Sequence, residues 1–328
     1  MAKPRVLVTV GPSNSFKLEA IDPGFEPKMR DSVELVCLED AIAAAETNPV
    51  QVWACFAHSS VNPDVVRKIS PRNTLRAVVN YGVGTDHIDL KGLAEMGVPV
   101  SNTPGVLNDA TAEMGWALLM ACARRIPQCD QFCRTGQFSK YNNLVYMGKA
   151  IAETTLGIVG LGRIGQAVAE RAVGFRMQVL YAGRSRQPVE VEARCGNAQH
   201  VPLDDLLARS DYVVLCCPAT AETNKLMNKE RLHMMKSTAS LINIARGTVV
   251  DTDALVEVLR TKVIDSAGLD VFEPEPLPTD HELYTLDNVA LAPHRGSATF
   301  ETRAAMLKLV CDNIFAAVAG EELLTRCN

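Results

Sequence analysis

Thr155-Leu156-Gly157-Ile158-Val159-Gly160-Leu161-Gly162-Arg163-Ile164-Gly165-Gln166-Ala167-Val168-Ala169 reads as a short apolar strand, a G-x-G-x-x-G turn and the start of a helix. In such a turn Gly160 permits the tight bend and Gly162 lets the backbone approach a pyrophosphate. Gly165 allows the helix to pack closely on the strand. The N–H groups that open the helix, those of Arg163 and Ile164 first, then face the phosphates. A plain glycine-rich turn is the alternative. The context argues against it, with an apolar strand before the glycines, an amphipathic helix after them and a second strand at the right distance.

Outward from this turn, short β-branched runs alternate with helical stretches almost throughout, the βαβ signature of parallel sheets covered by helices. Before it, strands are expected at Val6–Val10, Val52–Phe56, Ala77–Tyr81 and Val98–Ser101. From it onward they are expected at Thr155–Gly160, Gln178–Tyr181, Tyr212–Cys217, Ala239–Ile244, Ser266–Val271 and Val289–Ala292. Six strands make a full dinucleotide-binding sheet. Several are unbroken apolar runs, as both-face burial requires. Between the two sets, Asn108–Ile126 is an expected helix, capped by Asn108 or Asp109 and followed by Pro127. Its run Met114–Met120 is apolar nearly all round. That suits burial between domains or subunits, or equally the core of one domain. A second helix is expected over Phe300–Ala319, with Gly320 as its stop, and the polar stretch Arg134–Ala150 reads as a surface arm or an oligomer contact.

At the end of the second strand after the glycines, NAD-binding sequences place a carboxylate that accepts from the ribose 2′-OH. Here the chain reads Tyr181-Ala182-Gly183-Arg184-Ser185-Arg186, with no acid at the tip. Two arginines and a hydroxyl suit a 2′-phosphate through charge-assisted hydrogen bonds. The reading is therefore NADPH, with NADH possible and a solvated basic turn as the plain alternative.

The 328 residues suggest two domains, and 47% hydrophobic with 22% charged residues is an ordinary globular balance. A net charge of −5 removes the electrostatic case for a nucleic-acid partner. No apolar run reaches the ~18 residues of a membrane helix, and no signal-peptide layout precedes the first strand. Ten scattered cysteines without a CxxC pair, among them Cys37, Cys55, Cys122, Cys216 and Cys217, read as small buried hydrophobes. The expectation is a soluble cytoplasmic protein without disulfides.

Three apolar strands end in polar residues, where open α/β sheets bind ligands. Arg246 follows Ile242-Asn243-Ile244-Ala245 and can fork onto a carboxylate, although alone it would suit a structural ion pair. Glu275 follows Gly268-Leu269-Asp270-Val271-Phe272 between two prolines that stiffen the loop. His294 lies in Pro293-His294-Arg295-Gly296-Ser297. A carboxylate beside an imidazole makes an acid–base pair, in which the carboxylate orients the ring and stabilises its protonated form. The order Arg, Glu, His on three consecutive strand ends is a specific pattern.

On these segments the sequence resembles the D-isomer-specific 2-hydroxyacid dehydrogenases over essentially its whole length, and within them the glyoxylate/hydroxypyruvate reductases. The resemblance implies an α/β fold of two doubly wound, Rossmann-like parallel-sheet domains, the cofactor domain (107–299) inserted in a catalytic domain made of 1–106 with 300–328. The two crossings would form a hinge over a substrate cleft. It implies that Arg246, Glu275 and His294 are catalytic, and that the N–H groups of the Gly82-Val83-Gly84 loop, at Val83 and Gly84, meet a substrate carboxylate alongside Arg246. Thr111, Pro218, Thr223, Ile244, Asp270 and Gly296 look like cofactor contacts, with local hydrogen bonding as the alternative for Thr111 and Thr223. It further implies a homodimer and chemistry that needs no metal. His58, His87, His200, His233 and His281 match no catalytic motif.

The implied reaction reduces a small 2-oxo acid to a D-2-hydroxy acid by hydride transfer, with His294 protonating the nascent alkoxide. Rivals within the resemblance are a dinucleotide-binding corepressor, for whose regulatory tails 328 residues are expected to leave no room, and a dehydrogenase of formate or phosphite. Phe56, His58 and Leu107 are expected to shape the substrate pocket, whose preferred 2-oxo acid the sequence does not specify.

Overall fold

The computed structural model describes residues 3–9, 25–56, 59–142 and 144–328. The chain divides into two compact units, one running to Leu107 and resuming at Ala298–Asn328, the other Asn108–Ser297. Val10 and His58 lie outside the described residues.

The first unit carries β1 (Arg5–Thr9), α1 (Phe25–Ser32), β2 (Glu34–Val36), α2 (Leu38–Ala43), β3 (Val52–Phe56), α3 (Pro63–Ile69), β4 (Ala77–Tyr81), α4 (Leu90–Glu95) and β5 (Val100–Ser101). Among the described residues its five strands are parallel in the order β2-β1-β3-β4-β5. A reversal of strand order beside β1 is the doubly wound arrangement. Apolar side chains from β3, β4 and the helices, Trp53, Val66, Ile69, Val78 and Leu93 among them, form its core. Every residue of β4 is buried, as two covered faces demand.

The second unit begins with α5 (Asn108–Arg124) and α6 (Ile126–Arg134), followed by β6 (Thr155–Val159), α7 (Arg163–Ala172), β7 (Gln178–Ala182), α8 (Val189–Arg194) and β8 (Gln199–His200). It continues with α9 (Leu203–Arg209), β9 (Tyr212–Leu215), α10 (Lys229–Met234), β10 (Ser240–Asn243), α11 (Thr252–Arg260), β11 (Ser266–Leu269) and β12 (Val289–Leu291). Seven parallel strands run β12-β11-β10-β9-β6-β7-β8, so the order reverses between β9 and β6. The chain closes with α12 (Phe300–Ala319), which returns to pack on β3 and β4 of the first unit. Thr299 caps α12 by accepting the Thr302 N–H, and Gly320 ends it at φ +79°, a conformation suited to glycine.

α5 departs from expectation at both ends. Asn108 and Asp109 lie inside its first turn rather than capping it, and the Asp109 carboxylate instead pairs with Arg171 at 3.0 Å. The helix stops at Arg124; Arg125 adopts a left-handed conformation and Pro127 sits in the first turn of α6. α5 packs on α7, β10, β11 and β12, so it is a core helix of its own unit. Trp116 anchors it, stacked on Phe175 at 4.8 Å with its indole N–H donating to the Val168 carbonyl at 3.0 Å. Glu113, Ala117, Met120 and Arg124 form its exposed stripe.

Candidate active site

The glycine-rich turn after β6 has the geometry that its glycines imply. Gly160 holds φ +98°, and a Cβ there would press to 2.9 Å on the Cys217 backbone. A Cβ at Gly165 would run into the Gly160 carbonyl oxygen, so helix and strand approach as closely as hydrogen allows. At Gly162 a Cβ would meet nothing within 4 Å, and this open side leaves room for a diphosphate. The first main-chain bond of α7 runs from the Gln166 N–H to the Gly162 carbonyl, which leaves the N–H groups of Arg163, Ile164 and Gly165 without intrahelical acceptors. Such a cradle fits a dinucleotide diphosphate.

At the tip of β7, Arg184 and Ser185 are exposed, whereas Arg186 is held. Its Nε and Nη2 donate to the two carboxylate oxygens of Glu192 at 2.9 and 2.8 Å. Glu192 is itself buried and also accepts the Tyr181 hydroxyl at 2.6 Å. Its pKa is lowered to about 2, chiefly by the Arg186 hydrogen bonds and then by Tyr181. The carboxylate grips one edge of the guanidinium, and the arginine remains 67% exposed along its side chain. Sequence reading missed Glu192. The only signal was an acid in the first turn of the following helix, and a buried Tyr181 beneath it is visible only once the strand is folded.

The next loop takes up Thr223 internally. Its hydroxyl donates to the Pro218 carbonyl at 2.7 Å and accepts the Thr220 N–H at 2.8 Å, the local hydrogen bonding given as the alternative for this residue. Ile244 is buried, with its Cδ1 about 3.0 Å from where a Gly115 Cβ would stand. Thr111 is buried beside Gly296, within 3.6 Å of a Cβ built there.

Arg246, Glu275 and His294 follow β10, β11 and β12, which are neighbours in the sheet. The strand ends are joined by main-chain bonds: Asp270 N–H to Asn243 carbonyl at 3.0 Å, Ala292 N–H to Leu269 carbonyl at 2.9 Å, and His294 N–H to Asp270 carbonyl at 2.8 Å. Asn243 braces the arginine loop, its Nδ2 donating to the Arg246 carbonyl at 2.9 Å and its Oδ1 accepting the Ala245 N–H at 3.0 Å. The Asp270 carboxylate accepts the Arg295 and Gly296 N–H groups at 2.6 and 2.7 Å. Burial raises its pKa, and those two amide bonds act against the rise. Asp270 thereby fixes the loop in which His294 holds φ +52°, strained for a residue with a side chain.

Glu275 faces His294 with one oxygen in a short contact to Nδ1, and its other oxygen accepts the Phe272 N–H at 3.1 Å. The carboxylate is mostly buried and the imidazole more open, at 19% and 37% exposure. With Nδ1 engaged, Nε2 is the nitrogen left for a ligand. The remaining described histidines have local duties. His200 lies 5.0 Å from the Tyr181 ring, His233 contacts the Lys229 carbonyl, His281 accepts the Leu283 N–H, and His87 meets Asn80. His58 and the side chain of Phe56 lie outside the described residues, and Leu107 is buried. Among the described residues no group of His, Cys, Asp and Glu has metal-holding geometry, and no helix is long and apolar enough to cross a membrane.

Comparison with known proteins agrees with this geometry. Residues 116–296 match the family model described as D-isomer specific 2-hydroxyacid dehydrogenase, NAD binding domain. The glyoxylate reductase of Thermococcus onnurineus is 45% identical over 324 residues, 97% of this chain and 94% of that one. The glyoxylate reductase of Pyrococcus horikoshii is 51% identical over 251 residues, 75% of this chain and 74% of the relative. The crystal structure of an NADPH-dependent glyoxylate/hydroxypyruvate reductase from Sinorhizobium meliloti, in complex with NADP and malonate, superposes with a TM-score of 0.85. It shares 32% identity over 99% of this chain and 97% of the other.

Proposed function

The chain belongs to the D-isomer-specific 2-hydroxyacid dehydrogenase family, and we propose that it is an NADPH-preferring reductase of small 2-oxo acids, glyoxylate or hydroxypyruvate first, giving the D-2-hydroxy acid. The observation that carries the reading is the Glu275–His294 pair on strand ends adjoining that of Arg246.

The diphosphate would be held by the backbone from Gly160 to Gly165, and the 2′-phosphate by Arg184, Ser185 and Arg186. Thr111, Pro218, Thr223, Ile244, Asp270 and Gly296 would contact the cofactor, the last two near the nicotinamide carboxamide. When bound, the reduced nicotinamide supplies the hydride.

The protein's own part is positioning and electrostatics. Arg246 forks onto the substrate carboxylate and polarises the carbonyl, with the Val83 and Gly84 N–H groups assigned to the same carboxylate. His294 Nε2 delivers a proton to the nascent alkoxide. Glu275 holds Nδ1 and stabilises the imidazolium that precedes transfer.

We assign the exposed apolar side chains Ile126, Phe138, Tyr141, Leu144 and Met147 to a homodimer contact, to be checked by light scattering on wild type and a Tyr141→Glu variant. The ten free cysteines support a reducing, cytoplasmic compartment.

The functional test is oxidation of NADPH and NADH followed with glyoxylate, hydroxypyruvate and no substrate, beside NADP reduction with formate and with phosphite. The proposal expects oxo-acid-dependent NADPH oxidation and little with formate or phosphite. Turnover of neither oxo acid would overturn it, and binding of NADPH without any turnover would favour a corepressor-like role.

A further inference from the structure

Asn80 is the one polar side chain in the apolar run of β4, and it is completely buried. Burying an amide is unfavourable unless each of its hydrogen-bonding groups is paired. Here they are. Nδ2 donates to the Gly82 carbonyl at 3.1 Å and to the Gly84 carbonyl at 2.8 Å. Oδ1 faces His87 Nε2 at 3.1 Å and the Cys55 thiol at 3.7 Å. The register of β3 on β4 sets Cys55 directly beside Asn80, and burial raises the Cys55 pKa, keeping it a proton-bearing donor. Since the two carbonyls can only accept and the thiol donates, the amide has a single satisfactory orientation.

The carbonyl between those two, that of Val83, accepts from Asn102 Nδ2 at 2.9 Å. Asn102 is anchored in turn. Its carbonyl accepts the Thr325 hydroxyl at 2.6 Å and its N–H donates to the Thr325 carbonyl at 3.3 Å. Buried Asn313 holds the Thr325 hydroxyl at 3.1 Å. Three successive carbonyls, 82 to 84, are therefore tied down by two asparagine amides, with Gly82 at φ +154°, where a side chain is disfavoured.

A trans peptide sets the carbonyl of one residue opposite the N–H of the next. With the Gly82 carbonyl fixed on Asn80, the Val83 N–H faces away from Asn80. With the Val83 carbonyl fixed on Asn102, the Gly84 N–H faces away from Asn102. Neither N–H finds an acceptor among the described residues. A loop whose carbonyls are all satisfied and whose amides are not is preorganised for an anion.

We propose that Asn80 and Asn102 are positioning residues that lock the 82–84 loop so that the Val83 and Gly84 N–H groups are held ready for a 2-oxo acid's carboxylate. Their action is on substrate affinity, with the cofactor site untouched. The proposal rests on the assignment of those two amides to the carboxylate under the proposed function.

The experiment compares wild type, Asn102→Leu and Asn80→Asp, measuring KM for glyoxylate, KM for NADPH, kcat and the inhibition constant of oxalate. Asn102→Leu removes the donor at similar volume, and Asn80→Asp turns an acceptor toward two carbonyl oxygens. Loss of a preset amide to a carboxylate predicts about a tenfold rise in glyoxylate KM and a parallel rise in the oxalate constant. The NADPH KM should stay unchanged and kcat fall less than threefold. Unchanged glyoxylate KM in folded Asn102→Leu overturns the proposal, and so does an equal rise in both KM values. Should the buried Asp at position 80 prevent folding, Asn102→Leu decides alone. A wild type that turns over no 2-oxo acid would instead defeat the functional reading beneath it.

Discussion

Two carboxylates of the second unit, Glu275 and Glu192, each hold a more exposed basic side chain, His294 and Arg186. Both acids are largely buried and both use two oxygens. The basic partners differ in kind. An imidazole gains and loses a proton near neutral pH, so a carboxylate behind it builds a proton donor. A guanidinium does not titrate in proteins, so the same arrangement behind Arg186 builds a fixed charge with one free edge. Under the proposed function, the same local arrangement would serve the chemical step in one place and the choice of cofactor in the other.

The largest effect expected from this contrast is at His294. His294→Ala removes the proton donor and should lower kcat by ~10²–10⁴ with either cofactor, while NADPH binding followed by fluorescence stays intact. Near-normal turnover would break the assignment of the pair to chemistry. Arg246→Lys comes next. Lysine keeps the charge without the fork, and a loss of ~2–4 kcal/mol in transition-state stabilisation is expected from kcat/KM for glyoxylate.

At the other pair the losses should fall on KM and on one cofactor. Replacing Arg184 and Arg186 together by Ala should weaken NADPH at least about tenfold, with NADH scarcely changed. Equal losses for both cofactors would mean the arginines are only part of the surface. Glu192→Gln, which loosens Arg186 without deleting it, should raise the NADPH KM a few-fold. A fall in KM would instead make Glu192 a competitor of the phosphate.

Glu192 also gives a pH prediction. Its pKa lies at about 2 in the folded chain, held down by Arg186 and Tyr181, below the ordinary value of 4.5. A lowered carboxylate pKa contributes stability that is present above the unfolded value and lost as pH falls through the folded one. The difference in urea stability between wild type and Glu192→Gln should therefore be full at pH 7 and close between about 4.5 and 2. A gap that persisted at pH 2 would assign it to packing.

The contrast between the pairs also marks what the sequence disclosed. Arg246, Glu275 and His294 stand on consecutive strand ends, so chain order alone brings them to one edge of a parallel sheet. The glycine turn was legible for the same reason, because strand, turn and helix are contiguous. Glu192 was not legible, since its meaning depends on Tyr181 folding beneath it. Asn80 and Asn102 act through a loop and the returning C-terminal residue Thr325, which are far apart in sequence. Among the strands, β2 and β8 escaped notice at the sheet edges. Gln199 and His200 are both exposed and Glu34 begins its strand exposed, so neither carries the apolar run that marks a buried strand. The ends of α5 were misread because its first turn takes in both residues read as caps.

Steady-state glyoxylate reduction by wild type, Glu275→Gln and Glu192→Gln, each with NADPH and with NADH up to saturation, separates the work of the two pairs. Glu275→Gln should lower kcat by a similar factor with both cofactors and leave their KM values alone. Glu192→Gln should preserve kcat at saturation and raise KM for NADPH only. A cofactor-dependent effect from Glu275→Gln, or a loss of kcat with both cofactors from Glu192→Gln, would contradict the division of labour between the two pairs.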